Sequence, residues 1–409
     1  MKTPALALGI TMAMLAVPAA AREYTLLDTH TPAQARTITS KQLGIKTPRP
    51  FSVSVRTLHG GRQEGVMLVT IDTGAMRITV VPNRGMNVLE AVSGKVRLGW
   101  NSPVKEIVNP AFLDQGARNG IGWLEGFNDL VTRCGYEWVG HAGADEDGTI
   151  LTLHGLAANI PASSVVLGID EKPPYTIRLK GLLREQAFKK VDFLIDTELS
   201  TVPGATAFTI DDTLTNNGDY PKEYQALYHS NFGPPIMEKG ARFVAPVREV
   251  SPFNDKAAGM LDSWQTYQDR TRDFDEVVYN VFPYGDANGN TLTMLHNAAG
   301  NLGISMAYNV NALPAFSLWK NMDTDAQGYV TGMEPGTSFS YNRKFQRALN
   351  LVPTIGPREK RRFQLTYTLL DSKTKVDAAR QRIERIQGNR ETTVRQTPLV
   401  TSGAQVIGR

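Results

Sequence analysis

The chain has 409 residues, of which 41% are apolar, and a net charge of +4. A chain of that length and apolar content buries a sizeable core, which excludes disorder throughout. The small positive excess forms no strong cluster ahead of the C-terminal tail, so nucleic acid is not indicated as a partner.

Met1-Lys2, the apolar run from Ala5 to Val17 and the sequence Pro18-Ala19-Ala20-Ala21 read as a secretory signal peptide over 1–21, cleaved after Ala21. The apolar run is shorter than the roughly 20 residues a membrane span needs. With no cysteine near the cleavage site and no later apolar span, the expected product is periplasmic or secreted, without a stable membrane anchor. Residues 22–50 show weak periodicity and read as an extended lead-in.

From Phe51 to Asp371 no composition shift marks a linker, which predicts one large domain over 51–371. Apolar residues alternate at Met76–Val80, Tyr175–Leu179, Phe208–Asp212 and Phe363–Leu369, the period of half-buried antiparallel strands. Scattered Gly and Pro supply turns between short strands. The expected fold class is therefore all-β, with stacked antiparallel sheets. Over 372–409 the pattern changes: Val376, Ala379, Ile383 and Ile386 recur at helical spacing and predict an amphipathic helix, followed beyond Gly388 by a loose polar tail.

The chemistry-bearing residues are few. Cys134 is the sole cysteine, so no intramolecular disulfide exists, and T-R-C-G-Y reads as a buried hydrophobe. The six histidines show no metal-ligand spacing, His141 with Asp145 and Asp147 being the nearest to one, and no metal is expected. No phosphate loop, dinucleotide fingerprint or nucleophile elbow is present. Arg84 follows the strand-like Val80-Val81 in a turn, where its planar fork of donors suits sugar hydroxyls. His154 and His229 each close a strand-like run before a Gly or Pro break. Glu334 precedes Pro335-Gly336, which holds it in extended backbone at a sheet rim.

In chain order, Asn83-Arg84-Gly85-Met86, Leu153-His154-Gly155 with Asn159-Ile160-Pro161-Ala162, Tyr228-His229-Ser230-Asn231-Phe232-Gly233-Pro234-Pro235 and Met333-Glu334-Pro335-Gly336-Thr337-Ser338 resemble the galactose mutarotase (aldose 1-epimerase) superfamily. Gly122-Trp123-Leu124-Glu125-Gly126-Phe127 and Thr132-Arg133-Cys134-Gly135 are similar to a branch of it known as a domain of unknown function. The resemblance implies a large antiparallel β-supersandwich with a short C-terminal helix and a broad sugar-binding cleft. It also implies a cofactor-free isomerase acting on a small carbohydrate, with Glu334 as general base, His229 as general acid, and Arg84 and His154 binding substrate. Asn231, Trp319, Lys320 and Asp129 join the expected substrate-binding set. Lys320 would suit an acidic, keto or phosphorylated sugar, and Asp275 is the nearest match to the sugar-binding aspartate of mutarotases.

Glu334 is expected to be ionised and to raise the proton affinity of His229. A non-catalytic carbohydrate-binding protein, or a sugar lyase or isomerase using the same cleft, is the alternative. The catalytic reading requires the side chains of His154, His229, Arg84 and Glu334 to converge on one concave surface. Oligomeric state is not specified by any feature of the sequence.

Overall fold

The computed structural model describes residues 21–400; apart from Ala21, the expected signal peptide lies outside the described residues. Two large sheets, of nine and thirteen strands, face each other, and their neighbouring strands run antiparallel almost throughout. The strand at Val191–Thr201 shows why: its odd-numbered residues are buried and its even-numbered ones stay part-exposed, so one face of the nine-stranded sheet turns inward and the other meets solvent. Ile78, Val80, Leu179, Ile195, Ile210, Tyr228, Phe316 and Leu365 meet between the sheets in one continuous core. Each such apolar side chain, fully buried, contributes roughly 1.5–3 kcal/mol.

The segment expected to be a lead-in is built into both sheets. Ala21–Leu27 pairs with Ser164–Asp170 in the nine-stranded sheet, and Arg36–Thr39 pairs with Ser52–Thr57 in the larger one. At the other end, helix α1 (Lys373–Gln387) buries Val376, Ala379, Ile383 and Ile386. Beyond it Thr393–Val394 adds a short parallel strand, so the tail is docked as far as that point.

Five strands at the middle of the larger sheet carry the site: β1 (Val131–Tyr136), β2 (Gln225–Phe232), β3 (Val277–Pro283), β4 (Ala315–Asn321) and β5 (Val330–Gly336). Their spatial order is β1-β2-β5-β4-β3. Every residue of β2 and β5 is buried, because both faces are covered. On β2, Tyr228 and Ser230 face inward, their hydroxyls reaching Asp212 Oδ2 at 2.8 Å and the Tyr367 hydroxyl at 2.8 Å across the sandwich. Arg133 of β1 donates to Asp212 from the same side, through Nε at 2.7 Å and Nη2 at 3.1 Å. This buried network ties the two sheets beneath the site. The outer face of the same strands is roofed by the irregular segment 110–127.

Candidate active site

Period-two alternation decides which side chains reach the outer face. From β2 it presents Leu227, His229 and Asn231; from β5 it presents Val330 and Glu334, with Gly332 between them. His229 Nε2 lies 3.2 Å from Glu334 Oε1. His229 Nδ1 lies 2.7 Å from Asn231 Oδ1. The Ser340 hydroxyl donates to Glu334 Oε2 at 3.3 Å. Gly332 is required for this approach, since a Cβ there would fall 2.3 Å from Glu334 Oε1 and 3.1 Å from His229 Cε1.

His154 completes the group from a turn in the left-handed region, φ 58°. A non-glycine residue there carries strain of order 1–3 kcal/mol. It is pinned by its own N–H, which donates to the Gly140 carbonyl at 2.8 Å, and by its carbonyl, which accepts from Gly135 N at 3.0 Å. The imidazole stands edge-on to that of His229 at 5.3 Å, and its buried Nδ1 has no hydrogen-bond partner. Trp123 and Phe127, from the roofing segment, pack against His229 at 5.8 and 5.2 Å, and Trp319 of β4 at 5.6 Å.

His154, His229, Glu334, Trp123, Phe127 and Trp319, with Leu124, His141, Leu153, Glu276, Val278 and Ser340, line a cavity of about 50 Å³. That is room for a few waters, not for a pyranose. The broad cleft expected from the sequence is narrow here, with Trp123, Leu124 and Phe127 among the side chains that line it. A larger open groove of about 690 Å³, lined by Arg97, Trp100 and Tyr329, contains neither histidine nor Glu334.

Burial sets the proton affinities. It pushes Glu334 well above the ordinary carboxylate range, with the Ser340 hydroxyl opposing and Glu276 adding to the effect. It lowers His229 to about 4 against the hydrogen bond to Asn231, and it also holds His154 well below the ordinary imidazole range, with His229 and His141 adding to that. The expectation of an ionised Glu334 that strengthens His229 as a base is therefore reversed: desolvation is the largest cause at both groups and favours their neutral forms.

Four expected sugar contacts lie elsewhere. Arg84 and Asp129 form a buried ion pair at 3.0 Å, with side-chain exposures of 2% and 0%, and neither lines the cavity. Arg84 also donates to Asn128 Oδ1 at 2.8 Å and to the Gly126 carbonyl, so it anchors the end of the roofing segment. Lys320, one residue after Trp319, points to the opposite face of β4, where its ammonium donates to the carbonyls of Ser263, Trp264 and Thr266 at 3.3, 3.1 and 2.6 Å. Asn231 touches His229 and backbone, not the cavity.

The same parity corrects the expected aspartate. Asp275 is half exposed and paired with Lys256 at 2.8 Å. Glu276, its neighbour, enters the cavity, where the Trp319 indole N–H donates to its Oε2 at 2.6 Å. Burial raises Glu276 to about 7, opposed by that hydrogen bond. Phe274-Asp275-Glu276 gives no signal for choosing between the two acids until the register of β3 is known, since a one-residue slip turns every side chain over. Asp145, the acid nearest to His141 in a metal-like spacing, is held instead by Arg343 and Arg347, each at 2.6 Å.

A family profile described as "Domain of unknown function (DUF4432)" matches residues 63–369. A crystal structure from Klebsiella pneumoniae, of a protein provisionally named an aldose 1-epimerase, superposes with a TM-score of 0.91 at 46% identity, over 94% of this chain and 100% of that one. A galactose mutarotase-like protein from Clostridium acetobutylicum gives a TM-score of 0.52 at 12% identity, over 78% of this chain and 98% of that one. Galactose 1-epimerase from Lactobacillus acidophilus gives 0.50 at 11%, over 82% and 99%. The latter two similarities establish the shared fold. No curated protein matches by sequence.

Proposed function

The chain belongs to the DUF4432 family, and from that membership and the geometry of the cavity we propose that it is an isomerase of the aldose 1-epimerase type, opening and reclosing the ring of a neutral sugar. The observation that carries the reading is the contact of His229 Nε2 with Glu334 Oε1 at 3.2 Å inside a cavity walled by aromatic rings.

Anomer interconversion needs one proton acceptor and one proton donor. The acceptor removes the proton of the C1 hydroxyl while the donor protonates the ring oxygen; the C1–O5 bond breaks and C1=O1 forms. C1 then rotates, and the two groups exchange roles on closure. No redox partner or cofactor enters the balance. Glu334 is the acceptor in this scheme and His229 the donor, a pairing that typically contributes ~10²–10⁴ in rate. Burial disfavours charge on both, but hydroxyls of a bound sugar supply further hydrogen bonds and so favour the ion-paired allocation of the proton.

A pyranose entering the pocket meets Trp123 and Phe127, which line it beside His229. Rings of that kind then face the sugar's apolar surfaces. Glu276, Ser340 and the unpartnered His154 Nδ1 remain to bind hydroxyls.

Among the described residues, no lysine or arginine lines the cavity, and two carboxyls do. That arrangement disfavours a uronate or sugar phosphate, the class that Lys320 would have suited. A lyase acting on a modified sugar would use the same acid and base, and product analysis separates it from an epimerase. Export is part of the proposal, supported by the charged start, apolar run and Ala-rich cleavage sequence of residues 1–21. The test is polarimetry and NMR of freshly dissolved single anomers across neutral, keto and acidic sugars. Accelerated equilibration of a neutral aldose supports the reading. Binding without acceleration across the whole panel overturns it in favour of a carbohydrate-binding protein.

A further inference from the structure

Asn231 holds a position that the reaction scheme leaves without a role. It lies two residues after His229 on β2, so both side chains leave the same face of the strand. Its amide nitrogen donates to the Asp129 carbonyl at 3.0 Å and to the His229 carbonyl at 3.2 Å. Two acceptors on one side of the amide fix which end is nitrogen, and the oxygen is thereby turned to His229 Nδ1 at 2.7 Å. An amide oxygen only accepts, so Nδ1 carries the hydrogen. In the neutral imidazole Nε2 is then bare, and it faces Glu334 Oε1.

Glu334 Oε1 has no hydrogen-bond donor of its own. Two lone pairs 3.2 Å apart between buried groups repel each other. The contact therefore calls for one proton between them, on the carboxyl or on Nε2. We propose that Asn231 is a positioning residue that fixes the tautomer of His229, so that His229 and Glu334 hold a single transferable proton and His229 exchanges it through Nε2 alone. The kinetic part rests on the epimerase reading; the tautomer does not.

The support for Asn231 explains two residues that the cavity excludes. The carbonyl it grips belongs to Asp129, whose carboxyl is held by Arg84 at 3.0 Å and by the Asn87 amide at 2.9 Å. The Arg84–Asp129 pair thus braces the orienting residue from behind. The other titratable groups around His229 are His154 on its turn, Glu334 on β5, Glu276 ahead of β3, His141, and Cys134 of β1. The group that meets Nδ1 is the Asn231 amide oxygen, at 2.7 Å.

The first experiment is ¹⁵N NMR of the imidazoles in the full chain, with His229→Gln used to assign the signal. The expected result is a neutral ring protonated at Nδ1. A neutral ring protonated at Nε2 overturns the proposal, whether or not the protein epimerises sugars. The second is Asn231→Asp, which keeps the shape but places a carboxylate against Nδ1–H. An opposing charge at that distance raises an imidazole's proton affinity by about 1–3 pH units. The His229 titration midpoint, and the acid limb of the rate profile for whichever sugar turns over, should both move up together. An unmoved midpoint in a folded variant overturns the proposal. Absence of turnover with the expected tautomer and midpoint shift would instead count against the epimerase reading alone.

Discussion

Gly332→Ala tests the geometry of the dyad without altering either of its members. The new methyl carbon would lie 2.3 Å from Glu334 Oε1, while ordinary van der Waals contact begins at 3.4 Å, so the carboxyl must retreat by about 1.1 Å. His229 Cε1, at 3.1 Å, must yield by a few tenths of an ångström as well. Gly332 pairs with Trp319 and Asn231 in the middle of the sheet, so its backbone has little freedom to absorb the strain. Misplacement of a catalytic group by about 1 Å costs on the order of 10² in rate, and overpacking of this kind costs about 1–3 kcal/mol in stability. The assay is anomerisation at a temperature well below the midpoint of thermal unfolding, with that midpoint measured alongside. The expected result is a folded protein with a roughly hundredfold lower rate. A folded variant turning over at the wild-type rate would refute the claim that the 3.2 Å contact is the working part of the site.

Two further predictions concern residues whose roles changed between sequence and structure. Glu276 is about 7 in the fold against 4.5 when unfolded, so its favourable contribution is complete below about pH 4.5 and is lost as the pH rises through 7. The loss is on the order of 3 kcal/mol. Glu276→Gln should therefore gain stability relative to wild type between about pH 4.5 and 7 in urea unfolding, and parallel curves would contradict the burial argument. Arg84→Met should lower stability by about 3–5 kcal/mol, because Asp129 is left as an uncompensated buried charge. Thermal or urea unfolding measures this, and a variant of wild-type stability would show that the pair does not brace the fold.

Much of the fold was legible because alternation of apolar residues survives wherever one face of a strand meets the core, as at Phe208–Asp212 and Phe363–Leu369. The helix at the C-terminus was legible for the same reason, at helical spacing. Alternation fails on β2 and β5, which are buried on both faces, so Glu334 read as a turn residue at a rim when it lies inside a central strand. Parity was the second blind spot. Trp319 and Lys320 sit side by side in sequence and on opposite faces of the sheet, as Asp275 and Glu276 do around the start of β3. A third is the roofing segment 110–127, whose irregular turns carry no period. Its Trp123 and Phe127 pack against His229 and help to bury the dyad, and burial reverses the proton affinities that the ordinary values suggest. The residues brought together, His154, His229 and Glu334, were those singled out by motif order, whereas Arg84 and Asp129 entered the same list and lie behind the site.

The most direct measurement is the anomerisation rate of Glu334→Gln beside wild type, on a neutral aldose that the wild-type protein equilibrates. Glutamine keeps the volume and the Ser340 contact but can neither take up nor release the shared proton. A fall of ~10²–10⁴ in rate with sugar binding retained is the expected result. Turnover by the glutamine variant at the wild-type rate would contradict it.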